Sequence, residues 1–288
     1  MGNNEAVLTE ENWDLVIKPK RGWFDLDLKD IWRYRDLIGL FVKRDFVVFY
    51  KQTILGPLWY LIQPLFTTFV FTIIFGNIAK ISTDGIPPFL FYLSGTVGWN
   101  YFANCLNGTS NTFINNAGIF GKVYFPRLII PISTVIINMA QFLIQMSLFL
   151  VMYLFYYLTG TDIHPSIWVL GIPLALLQMA LLGLGMGILI SSLTTKYRDL
   201  VFLMTFGVQL WMYATPVVYP SSIIPKQYLA YYMLNPMASV IETFRYAFLS
   251  HGTLEPAYMA ISWGVTLIIL FLGVILFHRV EKSFMDTV

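Results

Sequence analysis

Charge is scarce in this sequence, and the scarcity is organised into blocks. No Asp, Glu, Lys or Arg occurs between Gln52 and Ala79, and five further apolar stretches repeat that pattern over most of the 288 residues. Charged residues make up 12% of the chain, about half of the roughly 25% found in a soluble domain, which excludes an ordinary water-soluble fold. Cysteine occurs once, at Cys105, so neither a disulfide framework nor a cysteine metal cluster is available within the chain. The three histidines, His164, His251 and His278, are scattered without metal-ligand spacing. Asp25 and Asp27 form the one close acidic alternation, beside Trp23 and Phe24 in a polar leader, a poor basis for a metal-dependent transferase site. A Walker A loop is missing too: Gly121 and Lys122 are followed by Val123, and Asn116 stands where the first glycine belongs. The chain therefore does not bind ATP by that route. Its apolar blocks hold no ionisable relay of the kind an ion-coupled carrier uses, and no inverted repeat is visible.

What is present is hydrophobic length. A bilayer core about 30 Å thick needs ~20 apolar residues in a helix rising about 1.5 Å per residue. Six stretches qualify: Leu58 to Ile78, Pro87 to Leu106, Leu128 to Leu158, Ile167 to Thr194, Leu200 to Val218 and Pro256 to Phe277. The expected fold is an all-α membrane protein, with a leader over 1–51 and a six-helix transmembrane domain over 52–288. The third stretch exceeds a perpendicular crossing, so it is expected to tilt or to extend beyond the bilayer. Lys and Arg number fifteen in the N-terminal and alternate segments against three in the others. Under the positive-inside rule both termini and the even-numbered loops are cytoplasmic. The polar leader, lacking an early apolar core, reads as a retained soluble segment and not as a cleavable signal.

Three segments depart from plain spans. Lys29 to Lys51 is predicted to be one amphipathic helix, with Ile31, Tyr34, Leu37, Ile38, Phe41 and Val42 on one side and Arg33, Asp36, Lys43 and Arg44 on the other. Such a helix lies along the cytoplasmic interface, and Asp45, which interrupts the apolar side, needs a snorkelling path or a specific partner. The segment from Tyr219 to Glu255 is apolar and aromatic although it occupies a loop position. Its composition and the Asn235-Pro236 turn favour two short helices that dip into the membrane and return, over a cap folded on the outer surface. In it Glu242 and Arg245, three apart, form either a local ion pair or a water-facing pair of little consequence. In the fourth stretch Gly183, Gly187 and Ser191 make a small-residue stripe for close helix packing, within one chain or between two. Aromatic residues reach 17%. Trp59, Gln63 and Phe66 share a helix face, and Trp99, Tyr101, Trp211 and Tyr213 lie near span ends. Rings so placed serve either as ordinary packing and interfacial anchors or as a stacking surface for sugars.

The run RDFVVFYKQTILGPLWYLIQP, preceded by IKPKRGWFDLDLKDIWRYRDLI, resembles the start of the permease subunits of ABC-type polysaccharide exporters, which move lipid-linked O-antigen, capsule or teichoic-acid polymers. KVYFPRLIIP, KYRDL, TPVVYP and LNPMASVIETFRYAFL follow in matching order, so the resemblance covers nearly the whole chain. It implies half of a homodimeric channel in the inner membrane, with two copies of a nucleotide-binding ATPase subunit beneath. ATP and Mg would be bound by that partner, with no cofactor, metal or catalytic residue in this chain and no nucleic-acid partner. Lipid-linked polysaccharide and membrane lipids are the remaining partners. The resemblance further implies that Lys29 to Lys51 docks on the ATPase, that Asn111 to Arg127 is a coupling helix, and that Ser221 to Ser250 forms gate helices containing Asn235, Pro236, Glu242 and Arg245. Trp59, Tyr60, Phe66, Trp99, Tyr101, Trp211 and Tyr213 become candidates for the channel lining. Arg44 and Asp45, with Lys122 and Arg127, mark the cytoplasmic entrance and ATPase interface. Three other readings stay open at the level of sequence: an ABC permease for a smaller lipid or drug cargo, a membrane-embedded polyprenyl-phosphate sugar transferase, and a structural membrane anchor.

Overall fold

The computed structural model describes residues 28–51, 55–197 and 199–284. The leader ahead of Leu28, with Asp25 and Asp27, lies outside them, as does Arg198 of the KYRDL string. Among the described residues all regular structure is helical. The elements are α1 (Leu28–Arg33), α2 (Arg35–Lys51), α3 (Trp59–Phe71, continued by a wide π-turn stretch, Thr72–Ile78), α4 (Pro88–Ser110), α5 (Thr112–Phe120), α6 (Ile129–Leu158), α7 (Ile172–Thr194), α8 (Leu200–Tyr213), α9 (Lys226–Tyr232), α10 (Pro236–Leu249) and α11 (Pro256–Phe284). Proline stands in the first turn of α4, α7, α10 and α11, where its missing N–H has no intrahelical partner to lose.

Four helical stretches are long and apolar enough to cross a membrane: Gly56–Ile78, Ile129–Leu158, Ile167–Thr194 and Pro256–Glu281. The two remaining predicted spans take different forms. α4 has 23 residues, 16 of them buried within the chain, so protein covers most of its surface and its sequence is free to be less apolar. α8 ends at Tyr213 instead of Val218, because Ala214 and Thr215 close the helix with hydrogen bonds to Leu210, Trp211 and Met212 carbonyls. The apolar residues beyond it, Val217 and Val218, are buried against other helices.

The predicted single helix from Lys29 to Lys51 is two helices. At Tyr34 the carbonyl accepts from both Leu37 and Ile38 N–H (3.0 and 3.3 Å), so one turn tightens and the axis is interrupted between α1 and α2. The apolar side nevertheless packs as a unit. Phe41, with Tyr34, Leu37 and Ile38 alongside, joins Phe113, Phe120, Phe125, Ile129, Ile188 and Phe277 in one cluster at the end of the bundle where α5 lies.

The small-residue stripe packs within the chain. A Cβ on Gly183 would lie 2.7 Å from the Cβ of Cys105 in α4, one on Gly187 would collide with Thr109, and Ser191 Oγ accepts from the Phe113 N–H at 3.3 Å. Gly185 approaches α11 on another side of the helix, where an added Cβ would lie 2.7 Å from the Leu270 Cα. α7 is thus clamped between α4 and α11 by backbone proximity, the means available to helices that gain no hydrophobic drive from lipid. Gly187→Leu is therefore expected to destabilise the chain by about 1–3 kcal/mol or more through overpacking, read as a lower unfolding midpoint in detergent. An exposed apolar exchange such as Leu150→Ile, on α6, is expected to leave that midpoint in place.

Candidate functional site

α9 and α10 form a hairpin whose apex is the Asn235-Pro236 step. The Asn235 side chain is fully engaged. Its Oδ1 accepts from Trp211 Nε1 and from Met237 N–H, both at 3.1 Å, and its Nδ2 donates to Thr215 Oγ1 (2.9 Å) and the Ala214 carbonyl (3.2 Å). One residue therefore caps α10 and ties it to the end of α8. The Trp211 ring packs edge-on against Trp99 and Phe102 of α4, at 6.1 and 5.1 Å between centroids. Trp99 stands 11 residues along α4 from Pro88, so the apex lies about 16 Å inside the bundle from that end. Ser262 of α11 donates to the Pro236 carbonyl (2.8 Å) and itself accepts from Gln178 of α7, fixing the start of α10 from the other side.

α10 is enclosed, with 13 of its 14 residues buried. Among them are Glu242 and Arg245, each 1% exposed. Arg245 Nη1 faces Glu242 Oε1 at 3.5 Å, Nη2 donates to the Val217 carbonyl at 2.9 Å, and Nε donates to Ser94 Oγ at 3.4 Å. The guanidinium lies over the Phe91 ring, 3.7 Å from its centroid, a desolvated cation–π contact. Glu242 Oε2 accepts from the Thr253 N–H at 3.0 Å. Two glycines make room for the pair: a Cβ on Gly95 would stand 3.0 Å from Arg245 Nη2, and one on Gly252, at φ +124°, 2.9 Å from Glu242 Oε2. Ser94, Gly95, Phe91, Val217 and Gly252 were not singled out from sequence. Ser94 lies 151 positions from Arg245, and an isolated Ser-Gly pair in an apolar helix carries no local sign of its partner.

At the opposite end of the bundle lies an aromatic platform. Phe113 of α5 stacks on Phe277 of α11 (4.5 Å), and Phe41 of α2 meets Phe125 (5.9 Å) in the turn between α5 and α6, with α2 lying along α6. Arg127 donates to the Glu281 carbonyl through Nη1, its N–H donates to Glu281 Oε1 (3.3 Å), and its guanidinium lies over Phe120 (5.4 Å). Burial lowers the Arg127 pKa from its ordinary value, and the Glu281 carboxylate opposes that shift. Arg44 pairs with Asp45 (2.7 Å) and covers Phe41 (4.8 Å). Lys122, Val123 and Tyr124 project from the turn after α5 as an exposed tip.

The aromatic candidates separate. Trp59, Phe66 and Tyr213 are 49%, 67% and 42% exposed on the outer surface of the chain, whereas Trp99 and Tyr101 are 3% and 2% exposed within the core. Tyr60 and Trp211 are half-buried. The structure brings Trp99, Trp211, Asn235 and Pro236 together, and Glu242 with Arg245. Arg44, Asp45, Lys122 and Arg127 lie at the platform end.

A family model described as ABC-2 type transporter matches residues 36–249, from the first turn of α2 to the last residue of α10. The chain belongs to the ABC-2 type transporter family. Over 252 residues it is 31% identical to the O-antigen export system permease protein RfbA of Klebsiella pneumoniae, covering 87% of this chain and 94% of that protein. It is 24% identical over 242 residues to the polysialic acid transport protein KpsM of Escherichia coli (81% and 89% covered). It is 23% identical over 265 residues to the capsule polysaccharide export inner-membrane protein CtrC of Neisseria meningitidis (86% and 92%). In this ABC-2 transporter chain the hairpin and the platform both fall inside the matched region, apart from the α11 residues that brace them.

Arg245→Met is expected to cost about 3–5 kcal/mol, because it strands a buried carboxylate, and to lower the unfolding midpoint accordingly. The double variant Glu242→Gln with Arg245→Met recovers part of that loss. A double variant no more stable than Arg245→Met alone would show that the two side chains are not coupled.

Proposed function

We propose that this chain is the membrane-spanning subunit of an ATP-driven exporter that moves a lipid-linked polysaccharide, of O-antigen, capsular or teichoic-acid type, across the cytoplasmic membrane. The observation that carries the reading is the near full-length likeness to permeases of O-antigen and capsule export. The chain is not itself an enzyme in this reading. Two copies of a separate ATPase bind ATP and Mg, and two copies of this chain form the path.

Each protomer crosses six times, with both termini cytoplasmic, as the distribution of Lys and Arg supports. α4 is then the second crossing and α8, with the buried residues after it, the fifth. The platform end faces the cytoplasm. There α2 is the helix on which the ATPase docks, α5 and the tip at Lys122 to Tyr124 form the coupling element, and Arg44, Asp45 and Arg127 border the entrance. The α9–α10 hairpin is a re-entrant gate on the outer side, and its satisfied apex at Asn235 is what backbone at membrane depth requires. Closure of the ATPases on ATP moves α2 and α5 together through the shared aromatic cluster, and the protomers part. Sugars slide over the outward rings of Trp59, Phe66 and Tyr213, while Tyr60, Trp99, Tyr101 and Trp211 support that surface from behind. Rings offer broad stacking without a strong anchor, which suits a polymer that must keep moving.

The deciding experiment is co-expression with the candidate ATPase, transfer of the complex to nanodiscs, and ATP hydrolysis with and without extracted lipid-linked O-antigen or capsular glycan. Glycan-dependent hydrolysis is expected; failure to assemble with the ATPase would sink the reading. Trp59→Ala and Phe66→Ala, at rings exposed on the surface of the chain, are expected to lower export several-fold with the ATPase still co-purifying. Export at the unaltered rate in both variants would remove these rings from the path.

A further inference from the structure

One face of α4 is left partly open by the rest of the chain. Beyond Phe89 every residue of α4 is buried except Asn100, Ala103, Asn104, Asn107 and Gly108. At about 100° per residue these five fall within one arc of about 140°. Three of them are asparagines, and the other two are too small to cover their neighbours. Asn100 and Asn107 stand 12 and 19 residues beyond Pro88, so the arc runs from about 18 to about 28 Å along the helix. α6 lies alongside. Asn100 Nδ2 donates to the Oε1 of buried Gln145 at 3.4 Å, and a Cβ on Gly108 would meet Thr134 Cγ2 and come within 3.7 Å of Asn138 Nδ2. Asn138, Gln141 and Gln145 follow one another at spacings of three and four, on one face of α6. The result is an amide-lined seam in the middle and inner part of the bundle.

The seam holds unused hydrogen-bonding capacity. Among the described residues no hydrogen bond engages the side chains of Asn104 or Gln141, and both are partly accessible. Amides left bare against hydrocarbon carry a large penalty, so a seam of them at membrane depth implies water or a polar ligand. Its chemistry selects the ligand. Neither α4 nor α6 contains Lys, Arg, Asp or Glu, which disfavours a phosphate or another ion. A row of neutral groups, each both donor and acceptor, matches neutral hydroxyls. We propose that the α4–α6 seam, lined by Asn100, Asn104, Asn107 and Gln141 with buried Gln145 behind Asn100, is a hydrated subsite that hydrogen-bonds the hydroxyls of the exported glycan. The ligand class rests on the polysaccharide-export reading; the hydration of the seam does not.

Labelling tests the seam directly. In a Cys105→Ala background, Asn104→Cys on α4 is compared with Leu150→Cys, an exposed apolar position on α6, using a hydrophilic maleimide on the full chain in nanodiscs. Asn104→Cys is expected to react measurably faster, because the maleimide attacks a hydrated thiolate, and maltoheptaose, a neutral oligosaccharide, is expected to slow it. Equal reaction rates at the two positions would mean a dry seam and overturn the proposal, and so would fast labelling that the sugar leaves unslowed. In the assembled exporter, Gln141→Leu is expected to raise the half-maximal concentration of extracted glycan for stimulated hydrolysis roughly tenfold, with the unfolding midpoint retained and Gln141→Asn restoring most of the response. An unmoved half-maximal concentration overturns the subsite. Failure of the unaltered chain to assemble with any ATPase would instead strike the export reading, while the labelling comparison would still decide the seam.

Discussion

A guanidinium carries five N–H donors, and inside a helical bundle surrounded by lipid they cannot fall back on bulk water. Arg245 is placed to satisfy that demand. Its acceptors come from α4 through Ser94, from the segment after α8 through Val217, and from its own helix through Glu242, with the Phe91 ring beneath. Meeting the needs of one side chain therefore fixes three pieces of chain relative to one another. The α9–α10 hairpin is held along α10 by this charge and at its apex by Asn235, and the apolar residues of α10 fill the space between. Removing either partner of a pair buried in this way strands a charge away from water, so the position of the hairpin and the burial of the pair stand or fall together.

Around that hairpin the bundle is organised by how near helices can come. α7 approaches α4 through Gly183 and Gly187 and approaches α11 through Gly185, opposite Gly273. Because α4 is enclosed by these neighbours, its sequence can carry Ser94, Thr96 and Thr109 in the core, each returning its hydroxyl to a carbonyl of the preceding turn. Helices that face lipid keep the strongly apolar sequences. The division of labour between shielded and shielding helices explains why α4 is less apolar than its companions although it lies at the centre.

Long, charge-free stretches announced the spanning helices because length and apolarity are local quantities, and α6, α7 and α11 needed little more. The break at Tyr34 was hidden, since the apolar stripe of α1 and α2 continues through it and only the hydrogen bonds change partner. The end of α8 was hidden for a related reason: Val217 and Val218 are apolar for the sake of packing, and composition cannot tell burial in protein from burial in lipid. Spacing placed Glu242 and Arg245 on one face of a helix. Which environment that face met depended on Ser94 and Gly252, one distant in sequence and the other across a loop. Aromatic content marked Trp99 and Phe66 alike, yet one ring is interior and the other points outward, a distinction set by the facing of whole helices.

The order in which the chain emerges gives the bracing of Pro236 by Ser262 a further meaning. The residues that receive Arg245 on α4 and after α8 are synthesised before α10, but Ser262, and the Thr253 N–H that meets Glu242, come afterwards. A growing chain that has just completed α10 thus has a home for the cation, while the carboxylate still lacks its loop and the apex its brace. The full set of contacts that seat the hairpin therefore exists only once Thr253 and Ser262 have been made, so residues of α11 and the loop before it complete an element that precedes them.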